Sequence, residues 1–162
     1  MHITRSELDD LLPEILAAPK DGAAVSMLCS RPGRNQRAFP EQMKFTRENG
    51  IPDERWATQP WLKLPDGSPD PQIQVCILNS RVLDAVWRDR ENVAHPGDTF
   101  ILDMDLSYEN LPVGQRLQVG DVVLKVSEEF NTGCAKWKVR YGRESFDWIN
   151  DPENVKYRLR GI

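Results

Sequence analysis

One cysteine lies in the sequence context that most favours covalent chemistry. Cys134 follows a glycine, and apolar and basic residues alternate after it over residues 135–141. Successive side chains on a β-strand point to opposite faces, so the alternation predicts a strand on which Cys134 shares its face with Lys136, Lys138 and Arg140. Nearby positive charge favours the thiolate, which is the reactive form of cysteine. Cys134 is therefore the candidate nucleophile.

The remaining cysteines and the histidines are predicted to do no chemistry. Cys29 and Cys76 lie in apolar segments, and free cysteine is among the residue types most often buried. Packing in a core is also the alternative interpretation of Cys134. Zinc sites usually include a Cys-x-x-Cys pair, which this chain lacks, so no metal ligand is predicted. His2 and His95 have no histidine partner at helical spacing and are predicted to be surface or turn residues.

A basic loop is the second candidate feature. It contains Arg31, Arg34 and Arg37. The planar guanidinium group suits phosphate and carboxylate ligands, although a solvated loop would have the same composition. The C-terminal third adds further positive charge, including Arg158 and Arg160. An acidic chain with local basic clusters is compatible with a small anionic ligand.

Length and composition indicate an ordinary globular protein. The chain has 162 residues, of which 40% are hydrophobic and 28% charged, and we expect a single domain over residues 1–162. A net charge of −4 argues against nucleic-acid binding. No apolar run approaches the roughly 18 residues that span a bilayer. The N-terminus has carboxylates where a secretory signal has its apolar core, and three widely spaced cysteines make a poor disulfide framework. These features predict a cytoplasmic protein that binds neither nucleic acid nor membrane.

Hydrophobic patterning predicts more strands than helices. Strands are expected at 23–29, 73–78 and 135–141, and a hairpin over 116–126 turns at Gly120 and Asp121. Helices are expected at 8–18, 41–49, 80–89 and 144–149, with another opening at Asp151. Short, mostly antiparallel strands predict a mainly β barrel or sandwich with a few peripheral short helices.

Eight short motifs follow one another along the chain. They are Arg-Pro at 31–32 with Arg37, Gly-Asp at 97–98, Asp-Met-Asp-Leu-Ser at 103–107, Leu-Pro-Val-Gly at 111–114, Leu-x-Val-Gly at 117–120, Thr-Gly-Cys-Ala-Lys at 132–136, Arg-Tyr-Gly at 140–142 and Arg-Leu-Arg-Gly-Ile at 158–162. This ordered set resembles the MOSC domain, which is similar to the C-terminal part of molybdenum cofactor sulfurases. The resemblance is strongest over residues 17–162 and leaves residues 1–16 as a helical N-terminal extension.

The resemblance implies a MOSC-like β-barrel of mixed or antiparallel strands, in which Cys134 faces a basic cleft. It also implies sulfur-carrier or molybdenum-cofactor chemistry. Cys134 would carry sulfur as a persulfide, in a sulfurtransferase-like activity, or form an adduct with a pterin-linked ligand. Thr99 stands where related sequences often have Asn. The implied ligand-binding residues are Arg31, Arg37, Thr99, Lys136 and Arg140.

Two alternatives to a sulfur carrier remain. The chain could be a non-catalytic binding module for molybdenum cofactor (molybdopterin) or another oxyanionic ligand, or a scaffold whose cysteine is merely packed. Some MOSC relatives support reduction of N-hydroxylated compounds, which would require redox partners.

The resemblance also sets expectations about partners. Nothing in the chain resembles the pyridoxal-phosphate-dependent desulfurase part of full sulfurases, so a cysteine desulfurase or similar protein is the expected sulfur donor. Relatives continue past the Arg-Gly-Ile motif into a closing strand pair. We therefore expect a monomer whose N-terminal segment covers the barrel edge, or a homodimer in which a second copy does so.

Overall fold

Helices and short strands are mixed along the chain in the computed structural model, which describes residues 2–162. The helices are α1 (Arg5–Leu16), α2 (Arg55–Thr58), α3 (Ser80–Val86), α4 (Ala135–Tyr141) and α5 (Arg143–Ile149). The strands are β1 (Val25–Leu28), β2 (Ile77–Asn79), β3 (Phe100–Leu102), β4 (Arg116–Val119) and β5 (Val122–Lys125). Single turns of 3-10 helix occur at Pro71–Ile73 and Val155–Tyr157.

The strands form two small sheets, and the prediction of a mainly β, MOSC-like barrel is wrong. In the first sheet β3 lies in the centre, antiparallel to β1 and parallel to β2. The second sheet contains only β4 and β5. Only 15% of the chain is strand and 27% is helix, and the sheets do not close on each other within the described residues. Strands of three or four residues are too short to build the continuous wall of a barrel.

The strand predicted over residues 135–141, directly after Cys134, is the helix α4. In α4, Trp137 and Tyr141 are buried and their ring centroids lie 4.7 Å apart, whereas Val139 is 79% exposed. Two buried aromatic residues four positions apart share one face of a helix. Seven residues are too few for an alternating pattern to distinguish the two-residue period of a strand from the 3.6-residue period of a helix. The Lys138 ammonium lies over the ring of Phe146 in α5, 5.7 Å from the ring centroid.

Other elements agree with the sequence in part. The helix predicted over 8–18 is present as α1, and the hairpin has the predicted two-residue turn, with Gly120 at φ +59°. The predicted strand over 73–78 is reduced to β2, and Asp151 caps only a turn. The helix predicted over 41–49 is absent, because that segment forms turns closed by a bridge between Thr46 and Gly50.

Two hydrophobic clusters hold the elements together. The first packs α1, α3, α4 and α5 around Trp148, whose exposed fraction is zero. The second lies between the first sheet and the β4–β5 hairpin and includes Phe100 and Met104. Helix α1 joins the first cluster through Leu8 and Ile15. The N-terminal segment therefore packs on the helices instead of covering a barrel edge. Among residues 2–162, no helix is long and apolar enough to cross a membrane.

The last residues of the chain extend the first sheet. Ile162 exchanges two backbone hydrogen bonds with Ile77, at 2.6 and 2.9 Å, and so pairs with the outer edge of β2. Gly161 has φ +93°, and a Cβ atom at this position would collide with the carbonyl oxygen of Ile77. Only glycine allows this close approach.

Replacing Gly161 with alanine should therefore destabilise the protein strongly. We expect the free energy of unfolding to fall by more than about 3 kcal/mol, because backbone strain adds to a clash with the main chain. Gly67→Ala is the matched control, because Gly67 also has positive φ but has open space around it. It should cost only about 1 kcal/mol. Urea unfolding measures both, and equal losses in the two variants would contradict the proposed packing.

Candidate functional site

One edge of the first sheet gathers most of the residues that can do chemistry. Because β1 runs antiparallel to β3 and β2 runs parallel to it, β1 ends where β2 and β3 begin. Cys29, Thr99 and Cys76 lie side by side at this edge. The Cys29 N–H donates to the Thr99 carbonyl oxygen at 2.9 Å, and the Cys76 N–H donates to the Thr99 hydroxyl at 3.4 Å. Thr99 therefore ties the three strands together.

The two thiols at this edge are poor nucleophiles. Burial raises the pKa of Cys29 to about 11, although Arg37 and Arg31 act in the opposite direction. Burial, followed by the charge of Asp98, also raises the pKa of Cys76. Both thiols are therefore protonated near neutral pH, and the thiolate is the form that attacks. The prediction that these two cysteines are packed agrees with their surroundings.

Two arginines at the site are already neutralised by buried carboxylates. Arg31 Nε donates to Glu54 at 2.6 Å, and Glu54 also accepts from the backbone N–H groups of Arg31 and Trp56. Arg160 Nη1 donates to Asp98 at 2.7 Å, and Asp98 is only 1% exposed. Burial lowers the pKa of Arg160, but Asp98 outweighs it and the net pKa is raised. Both arginines therefore remain charged and paired.

Two further arginines have no acidic partner among the described residues. Arg37 and Arg140 both donate to the carbonyl oxygen of His95, at 3.3 and 3.4 Å. Burial, followed by repulsion from Arg140, lowers the pKa of Arg37. Two guanidinium groups that meet without a counter-ion leave a local excess of positive charge. An anionic ligand would relieve it.

His95 is the centre of this arrangement, and its prediction as a surface or turn residue is wrong. Its ring is 2% exposed and lies edge-on to Trp87 and Phe39, with ring centroids 5.2 and 5.4 Å away. Its Nδ1 accepts from the Gly97 N–H at 3.0 Å, whereas its Nε2 is buried without a partner. Burial lowers the pKa of His95 to about 4, with Arg37, Arg140 and Arg160 adding to the effect against Asp98. The imidazole is therefore neutral near pH 7.

Cys134 lies at the N-terminal end of α4, the helix that also carries Arg140. It is the exposed residue that precedes the first turn of α4, and its side chain makes no capping hydrogen bond. The Arg160 guanidinium lies 4.9 Å from the ring centroid of Trp137, three residues after Cys134. Cys134 and Arg140 are therefore connected by a helix, not by the shared strand face that the sequence predicts.

The structure places the five predicted ligand-binding residues in different roles. Arg37 and Arg140 converge, whereas Arg31 is bound to Glu54. Lys136 is exposed, and its Nζ donates to Asn35 of the basic loop at 3.3 Å. The hydroxyl of Thr99 is fully buried and leaves no surface that a ligand could contact.

Sequence reasoning missed four residues that build the site. They are Glu54, His95, Asp98 and Arg160. The Gly-Asp motif at 97–98 enters the sequence analysis only through the resemblance, and Arg160 only as part of the basic C-terminal third. The available signal was Asp98, an acidic residue two positions before the apolar residues of β3, since buried charges are normally paired.

The part of the chain that the structure describes contains no group of three or more His, Cys, Asp and Glu side chains placed to hold a metal ion. Comparisons with protein-family models, curated proteins and solved structures gave no match.

The buried histidine predicts a loss of stability in mild acid. The pKa of His95 is about 4 in the folded protein against 6.5 for a free side chain, so the unfolded chain takes up a proton first as the pH falls. The stabilisation is complete above pH 6.5 and is lost between 6.5 and 4. We expect the free energy of unfolding to be about 2 kcal/mol lower at pH 5 than at pH 7 from this residue alone.

Urea titrations at the two pH values measure this difference. His95→Gln should remove most of it, whereas His2→Gln, which replaces an exposed histidine, should retain it. An unchanged difference in His95→Gln would contradict the assignment.

Proposed function

We propose that the chain binds a small, doubly charged oxyanion such as a phosphate group between Arg37 and Arg140, and that Cys134 acts beside it as a sulfur-carrying thiol. The observation that carries the proposal is the convergence of two unpaired guanidinium groups on the carbonyl oxygen of His95. The motif order that resembles the MOSC domain supports the same chemistry. The barrel expected for that domain is not part of the proposal.

The charge of the site favours a dianion. Of the four arginines around His95 and Asp98, Arg31 and Arg160 are neutralised, and Arg37 and Arg140 are not. Two uncompensated positive charges match a phosphate monoester, which carries nearly two negative charges at pH 7 because its second pKa is about 6. Guanidinium groups also offer the planar, paired N–H donors that phosphate oxygens accept.

The two arginines would have different tasks. Arg37 uses all three of its nitrogens on backbone carbonyls, namely those of Gln36, His95 and Pro96. Arg140 makes a single such bond, to His95. Because a guanidinium has five N–H donors, Arg140 keeps most of its donors free for a ligand. Arg37 would supply charge from a fixed position.

Cys134 would take up sulfur by exchange between a persulfide and a thiolate. The Cys134 thiolate attacks the outer sulfur of a donor persulfide, a new S–S bond forms, and the donor leaves as a thiolate. No net oxidation occurs, because one S–S bond is exchanged for another. The donor would be a persulfide-bearing protein such as a cysteine desulfurase. The acceptor would be a thiolate on the ligand that the arginines hold, which attacks the outer sulfur of the Cys134 persulfide so that Cys134 leaves as a thiolate. A cytoplasmic location and the monomer or homodimer state remain predictions.

Molybdenum cofactor fits part of this site. Arg37 and Arg140 could hold the phosphate of a pterin-linked ligand, and Cys134, the most exposed of the three cysteines, could contact its metal. Bound cofactor would supply redox chemistry that the side chains cannot.

A binding module without sulfur transfer is the second candidate. The hydrogen bonds that hold Arg37 and Arg140 favour this candidate, because none of them involves Cys134. In that case Cys134→Ala would leave both ligand binding and biological activity intact.

The anion site predicts binding of inorganic phosphate that depends on Arg140. Arg140→Gln should weaken the binding by about tenfold or more, because a charge-assisted hydrogen bond is lost. Arg140→Lys should weaken it less, and Arg143→Gln, which replaces an exposed arginine of the next helix, should leave it unchanged. NMR titration at low ionic strength provides the dissociation constants. Equal affinities in wild type and Arg140→Gln would refute the anion site.

The sulfur-carrier proposal predicts a persulfide on Cys134. Treatment with a low-molecular-weight persulfide should add about 32 Da, the mass of one sulfur atom, to the intact protein. Cys134→Ser should abolish the adduct, whereas Cys29→Ala should retain it, because Cys29 is buried and protonated. Intact mass spectrometry with and without a reductant measures the adduct. Its persistence in Cys134→Ser would exclude Cys134 as the carrier.

A further inference from the structure

An exposed aromatic ring borders the proposed anion site. Phe39 is 52% exposed, so about half of its surface is open to a ligand. The ring meets His95 in a T-shaped arrangement, with ring centroids 5.4 Å apart, and the exposed half faces solvent. The same His95 accepts hydrogen bonds from Arg37 and Arg140 through its carbonyl oxygen. The ring and the two unpaired cations are therefore anchored to a single residue.

The surroundings of Phe39 hold the ring in place. Ser30 and Ala38 exchange two backbone hydrogen bonds, at 2.9 and 3.0 Å, and close the basic loop immediately before Phe39. Trp87 supports His95 from another side. Because its backbone is fixed and the ring is packed against His95, Phe39 loses little conformational entropy when a ligand stacks on it.

We propose that the ligand of the site carries an aromatic ring as well as its anionic group, and that Phe39 stacks on that ring while Arg37 and Arg140 hold the anion. This inference rests on the proposed function and narrows it to aromatic phosphates. Stacking between a base and an aromatic side chain tolerates many ring types, so Phe39 selects for an aromatic ring and not for one particular heterocycle.

The test compares matched phosphate esters by NMR titration of the complete chain. The probes are inorganic phosphate, butyl phosphate, benzyl phosphate and 4-phenylbutyl phosphate, which vary the ring and its distance from the phosphate. At least one aromatic ester should bind about five- to tenfold more tightly than butyl phosphate. Phe39→Leu, which keeps apolar bulk without the ring, should remove that advantage. Phe39→Tyr should retain it, and binding of inorganic phosphate should be the same in all variants.

The outcomes separate this inference from the function on which it rests. If inorganic phosphate binds and the aromatic esters gain nothing over butyl phosphate, the stacking role is overturned and the anion site stands. If Phe39→Leu weakens all four probes equally, Phe39 supports the arginines instead of contacting the ligand, which also overturns the inference. If no probe binds to the wild-type protein, the anion site and the inference both fail.

Discussion

The buried ion pair between Asp98 and Arg160 is the interaction on which the rest of the site depends. Asp98 precedes β3, and Arg160 lies in the last residues of the chain, so the pair joins the first sheet to the C-terminal segment. Arg160 also packs against Trp137 of α4. One guanidinium group thus holds three parts of the chain together. Removal of either charge would leave the other buried and unpaired, which typically costs several kcal/mol.

This pair also determines which charges remain available. Because Arg160 is neutralised by Asp98 and Arg31 by Glu54, the excess charge belongs to Arg37 and Arg140. Their convergence on the carbonyl oxygen of His95 brings two positive charges together, and the repulsion between them destabilises the folded protein. Because His95 is neutral, this repulsion is not increased by a third positive charge. The arrangement suits a site that is completed by an anion.

The sequence predicted correctly those elements that a few neighbouring residues determine. The two-residue turn at Gly120 and Asp121 predicted the hairpin, and the helix predicted over 80–89 is present as α3. The segment after Cys134 was predicted wrongly, because seven residues with alternating types fit both a strand and a helix. The burial of Trp137 and Tyr141 resolves that ambiguity, and it exists only in the packed protein. The prediction of a barrel was wrong for a related reason, because local patterns do not determine how far each strand extends.

The candidate site was predictable only in part. Arg37, Arg140 and Cys134 have side chains that suggest chemistry by their type. Asp98 and His95 gain their roles from burial and from partners that are distant in sequence, such as Arg160 for Asp98. Thr99 shows the opposite case, because a polar residue at a motif position holds strands together instead of meeting solvent.

The central claim is that Cys134 and the unpaired arginines form one site, and the charge preference of Cys134 alkylation tests it most directly. Iodoacetate is an anion and iodoacetamide is neutral, but both react with the same thiolate, so the ratio of their rates reports the local potential. Peptide mass mapping distinguishes Cys134 from the two other cysteines. We predict a ratio at Cys134 at least about threefold above that of free cysteine, falling with added salt and in Arg140→Gln. A ratio equal to that of free cysteine, and unchanged in the variant, would show that the thiol and the arginines are separate features.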